Sequence, residues 1–383
     1  MHIHRILPAA ALLVLAAHPT GAQARDSAAL VTVLGSDTVA VERWVRRGTT
    51  WEAVAAVRSP RASLRRYTLE TDASGAMRRW EERWLDPANP AAAPTRTETL
   101  EAGEGGWTRR LAEGDSVRTA RIEGAPDALP FVDLVHWPFE LAVARVPASG
   151  QAAQPLLAGG RAVPFTLART GAGEVTITHP LRGPSVARVD AAGRLQRLDA
   201  GQTTRKVVVT RVPWVDVEGP ARRWAEADRA GRGMGELSGR ATETFEVGGA
   251  RITLDYGVPV RRGREIWGAV VPWGRVWRTG ANRATHFTTT RDLVMGGLTV
   301  PAGAYTLFSV PAEDGGVLIV NRQTNQNGTA HDPAQDLGRV PMRREPRAEP
   351  AERLAITVDP SATGGTLRIV WDRSEFVVPF TVR

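Results

Sequence analysis

A mainly β protein is predicted, built as an N-terminal antiparallel curved sheet or half-barrel followed by a C-terminal β-sandwich. Two observations carry this. Short runs of alternating apolar and polar residues, punctuated by glycine, proline and aspartate turns, fill residues 30–217 and resume from Ala241. Helical patterns are few, the stretch Ala221 to Ala230 having helical propensity before Gly231-Arg232-Gly233-Met234-Gly235 breaks it.

The chain begins with His4-Arg5, an apolar stretch from Ile6 to Ala17, and small residues through Thr20-Gly21-Ala22-Gln23-Ala24. That order of charge, short apolar run and small residues is the pattern of a signal peptide over residues 1–24, with cleavage after Ala24 and a periplasmic or secreted destination. The apolar stretch is too short to span a bilayer, so no transmembrane segment is expected after cleavage. The chain has no cysteine. A cysteine-linked lipid anchor and disulfide staples are thereby excluded, and stability must come from packing.

Strands are expected at Thr38 to Val45, Leu64 to Thr71, Met77 to Leu85, Gly106 to Ala112 and Ser116 to Ile122, with Asp72-Ala73-Ser74-Gly75 as a hairpin turn. The segment Ala128 to Ala144 differs. Leu129, Phe131, Leu134, Trp137, Phe139 and Leu141 crowd around Pro130 and Pro138, which fits a short helix or buried loop capping one face of the sheet. Strands resume at Val163 to Ala168, Val175 to Thr178, Ser185 to Asp190, Leu195 to Asp199 and Arg205 to Arg211. The first domain is thus placed at residues 25–219 and a linker at 220–239.

The second domain, 240–383, has strands at Ala241 to Val247, Arg251 to Tyr256, Arg283 to Thr290, Leu293 to Met295, Gly303 to Val310, Gly316 to Asn321 and Arg353 to Asp359. Its last two, Thr366 to Trp371 and Glu375 to Val382, are expected to meet at a turn over Asp372-Arg373-Ser374.

The net charge of +8 comes almost wholly from arginine, Lys206 being the sole lysine. Basic residues alternate with acids, as in Arg78-Arg79-Trp80-Glu81-Glu82-Arg83, and form no basic block or basic-aromatic stripe, so specific nucleic-acid binding is not expected. A net positive surface still favours polyanions of the envelope.

The richest local pattern runs from Tyr256-Gly257-Val258-Pro259 through Gly263-Arg264-Glu265-Ile266-Trp267-Gly268 and Val271-Pro272-Trp273-Gly274-Arg275-Val276-Trp277-Arg278-Thr279-Gly280-Ala281-Asn282, and continues at Pro301-Ala302-Gly303-Ala304-Tyr305-Thr306-Leu307-Phe308 and Asp332 to Pro341. Over about Thr244 to Arg383 the chain resembles the bacterial secreted family Domain of Unknown Function 2911, while the N-terminal region carries no such resemblance. The resemblance implies an exported or envelope-associated domain and no particular reaction. Where the family is expected to carry aromatic residues, this chain has Asn327-Gly328-Thr329 and His331-Asp332, which gives a pocket there polar groups in place of stacking surface.

Trp267, Trp273, Trp277 and Trp371 supply apolar area for a core, and with Arg264, Arg275 and Arg278 among them they can also cradle a carboxylate, phosphate or saccharide. Ligand contacts are assigned to Trp277, Arg278, Thr279, Asn282 and Asn321, with the edge formed by Arg278, Thr279 and Asn282 exposed. No cofactor and no metal are expected, since neither a His-Glu-x-x-His motif nor a cysteine cluster occurs. His136 with Glu140 has helical spacing, but Pro138 interrupts it. Gly114-Asp115-Ser116-Val117 reads as a β-turn in preference to a nucleophile, because no Asp-x-x-His follows.

Three functions fit these residues. The first is an exported, soluble binding or interaction module without catalysis, taking an envelope glycan, a lipid or a small anion. The second is a hydrolase or metal enzyme using His286, His331 and Asp332 with Asp336, which requires those side chains to converge. The third gives the N-terminal sheet a cavity for a lipid or other hydrophobic ligand, which requires a concave face that its own side chains leave open.

Overall fold

The structure, a computed structural model, describes residues 27–147 and 150–383; the leader expected at residues 1–24 lies outside them. Two sheets account for the strands, as the alternating patterns predict. The first begins with β1 (Ser27–Leu34), β2 (Asp37–Arg47), β3 (Thr50–Val57), β4 (Ser63–Thr71), β5 (Met77–Leu85), β6 (Arg96–Gly103), β7 (Gly106–Glu113) and β8 (Ser116–Glu123). After β9 (Leu129–Pro130) and helix α1 (Phe139–Ala144) come β10 (Gln151–Ala158), β11 (Arg161–Gly171), β12 (Glu174–His179), β13 (Gly183–Val189), β14 (Leu195–Asp199) and β15 (Val208–Val212).

The order β8 to β1, then β15 to β9, places the first strand against the last. The chain therefore meanders outward from the middle to one edge, crosses over, and meanders back from the other edge. The edges approach one another, with the β10–β11 turn at Gly160 lying beside the Arg109 side chain of β7, but no bonds join β8 to β9 and the barrel stays open.

The crossing segment plugs the concave face. Trp137, fully buried, stacks on Trp80 at 5.6 Å and on Trp51 at 6.1 Å, with Tyr67 at 6.2 Å. Burying such a side chain contributes on the order of 3 kcal/mol. Glu42, fully buried on β2, accepts from the backbone N–H of His136 (2.9 Å) and of Trp137 (2.9 Å) and so satisfies donors that the turn before α1 leaves open. The concave face is packed with the protein's own side chains, and the depression of about 190 Å³ left beside Trp80 and Phe131 is lined by Glu82, Arg96, Glu98 and Arg109, which does not suit the hydrophobic ligand considered from the sequence.

The supposed linker is partly structural. Helix α2 (Glu218–Arg229) lies on the outer face of the sheet, burying Ala221 and Val217 against Val41, Val54, Ala56 and Leu64. Only residues after it connect to the second sheet.

The second sheet comprises β16 (Ser238–Val247), β17 (Ala250–Pro259), β18 (Thr285–Thr289), β19 (Leu293–Met295), β20 (Leu298–Val300), β21 (Gly303–Ala312), β22 (Gly315–Asn321), β23 (Asp336–Pro360) and β24 (Gly364–Val382). Their order is β16-β17-β18-β21-β22-β23-β24-β19-β20, and the folded sheet encloses a sandwich-like core around Phe287, Leu318, Ile369, Trp371 and Phe376. The turn expected at Asp372-Arg373-Ser374 is absent. β24 runs straight through, with Asp372 at φ +50° opposite a bulge in β23 between Pro346 and Ala355. A bulge re-aims the alternation without ending the strand, so the two out-of-phase patterns, Leu367-Ile369-Trp371 and Phe376-Val378-Phe380, read as two strands.

The sheets meet at the β1–β2 turn. Ser36 N–H donates to Arg262 O (2.9 Å), and the Arg262 guanidinium pairs with Asp37 at 2.5 Å. Gly35, at φ +62°, must be glycine both for its conformation and because a Cβ would overlap Arg262 O.

Candidate functional site

A cleft of about 420 Å³ lies where the sheets meet. Its walls come from the β1–β2 and β3–β4 turns, from residues 202–206 between β14 and β15, and from the loops after β17. Trp277, Arg278 and Asn282, all expected to touch ligand, line it.

The loop that carries them is pinned from behind. Trp277 and Ser309 of β21 exchange backbone hydrogen bonds of 2.7 and 2.8 Å, and Ala281 N–H donates to Gly257 O of β17 (3.2 Å). The indole of Trp277 stacks on Trp371 at 6.1 Å and donates to Gly280 O (3.1 Å), while Trp267 meets both rings edge-on. The tryptophans are thus mainly scaffold, and Trp277 shows its remaining edge to the cleft.

Thr279 does not belong to the exposed edge assigned to it. It turns inward at φ +53°, is 0% exposed, and donates to Ser309 Oγ (2.9 Å). Asn321 is also 0% exposed; its amide donates to Asp332 O and Asp336 Oδ1, both at 2.9 Å, and closes the 321–336 loop. Both are turn-holding residues, because a polar side chain beside a tight loop finds its partners in that loop's backbone.

His331 and Asp336 are brought together at 2.8 Å, and Phe308 packs on the imidazole. Asp332 caps the short turn after it by accepting from Ala334 N–H (3.0 Å). His286 accepts from Asn325 N–H at 2.7 Å and lines a separate depression with Asp255 and Arg240. Among the described residues no group of three or more histidine, aspartate or glutamate side chains is placed to hold a metal ion, and the three candidate residues are not assembled into one such group. His136 and Glu140 are likewise engaged elsewhere, with Thr32 and Arg211 respectively.

What distinguishes the cleft is charge. Arg278 enters it with Gly328 packed so closely on its side-chain stem that a Cβ there would overlap it. Its Nε is buried with no hydrogen-bond partner among the described residues, and burial alone pushes the guanidinium below its ordinary pKa. Arg264 is also pushed down, first by burial and then by Arg262, against the pull of Glu352 and Asp37; two of its nitrogens are held by Arg261 O and Val260 O.

From the other sheet comes Lys206. Its backbone sits at φ +54°, unusual for a residue with a long side chain, and Thr203 Oγ1 accepts from its N–H at 3.3 Å. Burial, then the charges of Arg278 and Arg264, hold its ammonium below the ordinary value. Two acids line the cleft: Asp133 is occupied by Arg182 (2.6 Å) and Arg205, and Glu236 makes no ion pair with Lys206, Arg264 or Arg278. Burial pushes the Asp133 carboxyl up, but its two guanidiniums outweigh burial and leave it below its usual range.

Lys206, Arg264 and Arg278 are therefore cations facing one cleft without a carboxylate dedicated to them, an arrangement that favours an anion. Arg264 and Arg278 stood out in the sequence by their tryptophan neighbours. Lys206 was visible only as the sole lysine, and nothing local connects it with residues more than fifty positions away.

Against known proteins, no curated protein matches the chain. Among solved structures, a DUF1089 family protein from Pseudomonas aeruginosa is 15% identical, with 43% of this chain and 90% of that one covered at a TM-score of 0.32. The N-terminal region matches no family model. Residues 238–380, the second sheet together with its Trp277 loop, match the family described as "Protein of unknown function (DUF2911)".

Proposed function

We propose that the protein is an exported binding module, without catalysis of its own, that takes a small anion in the cleft between its two sheets. The observation carrying this reading is the buried Arg278 guanidinium, which has no acid partner and faces the same cleft as Lys206 and Arg264. Burying an unpaired cation costs several kcal/mol, a cost that a bound anion offsets with charge-assisted hydrogen bonds. Export is supported by the leader pattern in the sequence, and no helix among the described residues is long and apolar enough to cross a membrane.

Calorimetric titration of the full mature chain with inorganic phosphate, citrate and galacturonate tests the reading. Binding of at least one of these, weakened at least tenfold in Arg278→Met, is expected. Failure of all three to bind at millimolar concentration refutes it.

A further inference from the structure

Among 49 basic residues this chain uses lysine once, and the fold puts that residue in the basic cleft. Arginine would serve charge alone at least as well, since it pairs with anions in a bidentate manner and keeps its proton. Lysine differs in one chemical respect: when it gives up its proton it becomes a nucleophile. The setting matches that use. Lys206 Nζ donates to Gly201 O at 2.9 Å, which fixes the amine and leaves the lone pair of the neutral form free. Burial, and after it the charges of Arg278 and Arg264, favours the neutral form, and the same two charges attract an anionic partner.

We propose that Lys206 captures the carbonyl carbon of a small anionic aldehyde or ketone as a reversible imine, with Arg278 and Arg264 holding the anionic group. This rests on the anion-binding reading above. The amine lone pair attacks the carbonyl carbon while the C=O π pair moves to oxygen, which takes up the proton lost by nitrogen. The carbinolamine then loses its oxygen as water, with the second nitrogen proton, to leave C=N. No electron is gained or lost and no further reactant is consumed. Both α-oxo acids and phosphorylated aldehydes satisfy the site, since each joins a carbonyl to an anion.

Trapping with borohydride tests this, because the chain offers only two kinds of amine, Lys206 and the terminal α-amine. At pH 7 an ordinary lysine has a free-amine fraction a few hundredfold below that of an α-amine, so an unactivated Lys206 would label far behind the terminus. The intact protein is treated in separate arms with glyoxylate, pyridoxal 5′-phosphate and neutral acetaldehyde, reduced, and mapped by peptide mass spectrometry. The expected result is an adduct on Lys206 at least equal to that on the terminus with one of the anionic probes, and about tenfold less with acetaldehyde. The better anionic arm identifies the carboxylate or phosphate class. Lys206→Arg, which keeps the charge, should lose the internal adduct while still binding phosphate. Labelling of the terminus alone, or equal Lys206 labelling by acetaldehyde, overturns the proposal. Phosphate binding without a Lys206 adduct overturns the imine and leaves the anion site standing; absence of both removes both.

Discussion

Replacing Arg278 by methionine should make the protein more stable and at the same time weaken its hold on the anion at least tenfold. The guanidinium is largely buried and its Nε has no hydrogen-bond partner among the described residues, so the folded state bears a desolvation cost without compensation. That cost is several kcal/mol for a fully enclosed ion, and the open side of the cleft reduces it to about 1–2 kcal/mol. Methionine keeps an unbranched apolar stem against Gly328, so little packing is lost. For sheets of this size a gain of 1 kcal/mol raises the melting temperature by roughly 2–4 °C, which gives an expected rise of about 2–8 °C. Phosphate at a hundredfold excess over the wild-type dissociation constant should stabilise the wild type by about 2.7 kcal/mol and the variant by no more than about 1.4 kcal/mol. Differential scanning calorimetry with and without phosphate reads both effects. A variant that melts lower than the wild type, or one that keeps the full phosphate shift, refutes the reasoning.

Glu42→Gln removes a carboxylate that accepts from His136 and Trp137 N–H and presents an amide donor to them; a loss of about 2–4 kcal/mol in urea denaturation is expected, and a loss under 1 kcal/mol would show that the plug does not depend on it. Gly35→Ala, at φ +62° and in overlap with Arg262 O, should cost about 1–2 kcal/mol from the backbone alone and weaken phosphate binding by separating the cleft walls; unchanged calorimetric titration would contradict that coupling. Lys206 has a folded pKa below its ordinary 10.5, so between the two values the unfolded chain binds more protons and stability rises with pH. Lys206→Met should flatten that part of the stability-pH curve, and phosphate binding should be accompanied by proton uptake that the variant lacks, measured in buffers of different ionisation enthalpy.

Much of the fold was legible because a half-buried sheet writes its two faces into alternate residues. Arg251 to Tyr256, Val175 to Thr178 and Leu293 to Met295 fall in observed strands whose buried residues alternate for that reason. Strands β1, β3 and β10 were not anticipated: Ala53, Val54, Ala55, Ala56 and Val57 of β3 are all buried, and a strand covered on both faces has no alternation to read. The bulge at Asp372 imitated a turn, and α2 resembled a linker because only Ala221 of its own residues is fully buried.

By itself, then, the sequence determined a β-rich, cysteine-free chain, the resemblance of its C-terminal region to DUF2911 and the capping segment Ala128 to Ala144. It also placed Trp277, Arg278 and Asn282 at a prominent loop. Tertiary structure alone decided that Thr279 and Asn321 face inward, that His286, His331 and Asp332 serve separate contacts, and that Lys206 joins Arg264 and Arg278 in one cleft. Secondary structure leaves a periodic trace because neighbours in sequence share one sheet. A site assembled from turns of two sheets leaves none, since its residues are related only by the docking of β1–β2 on Arg262.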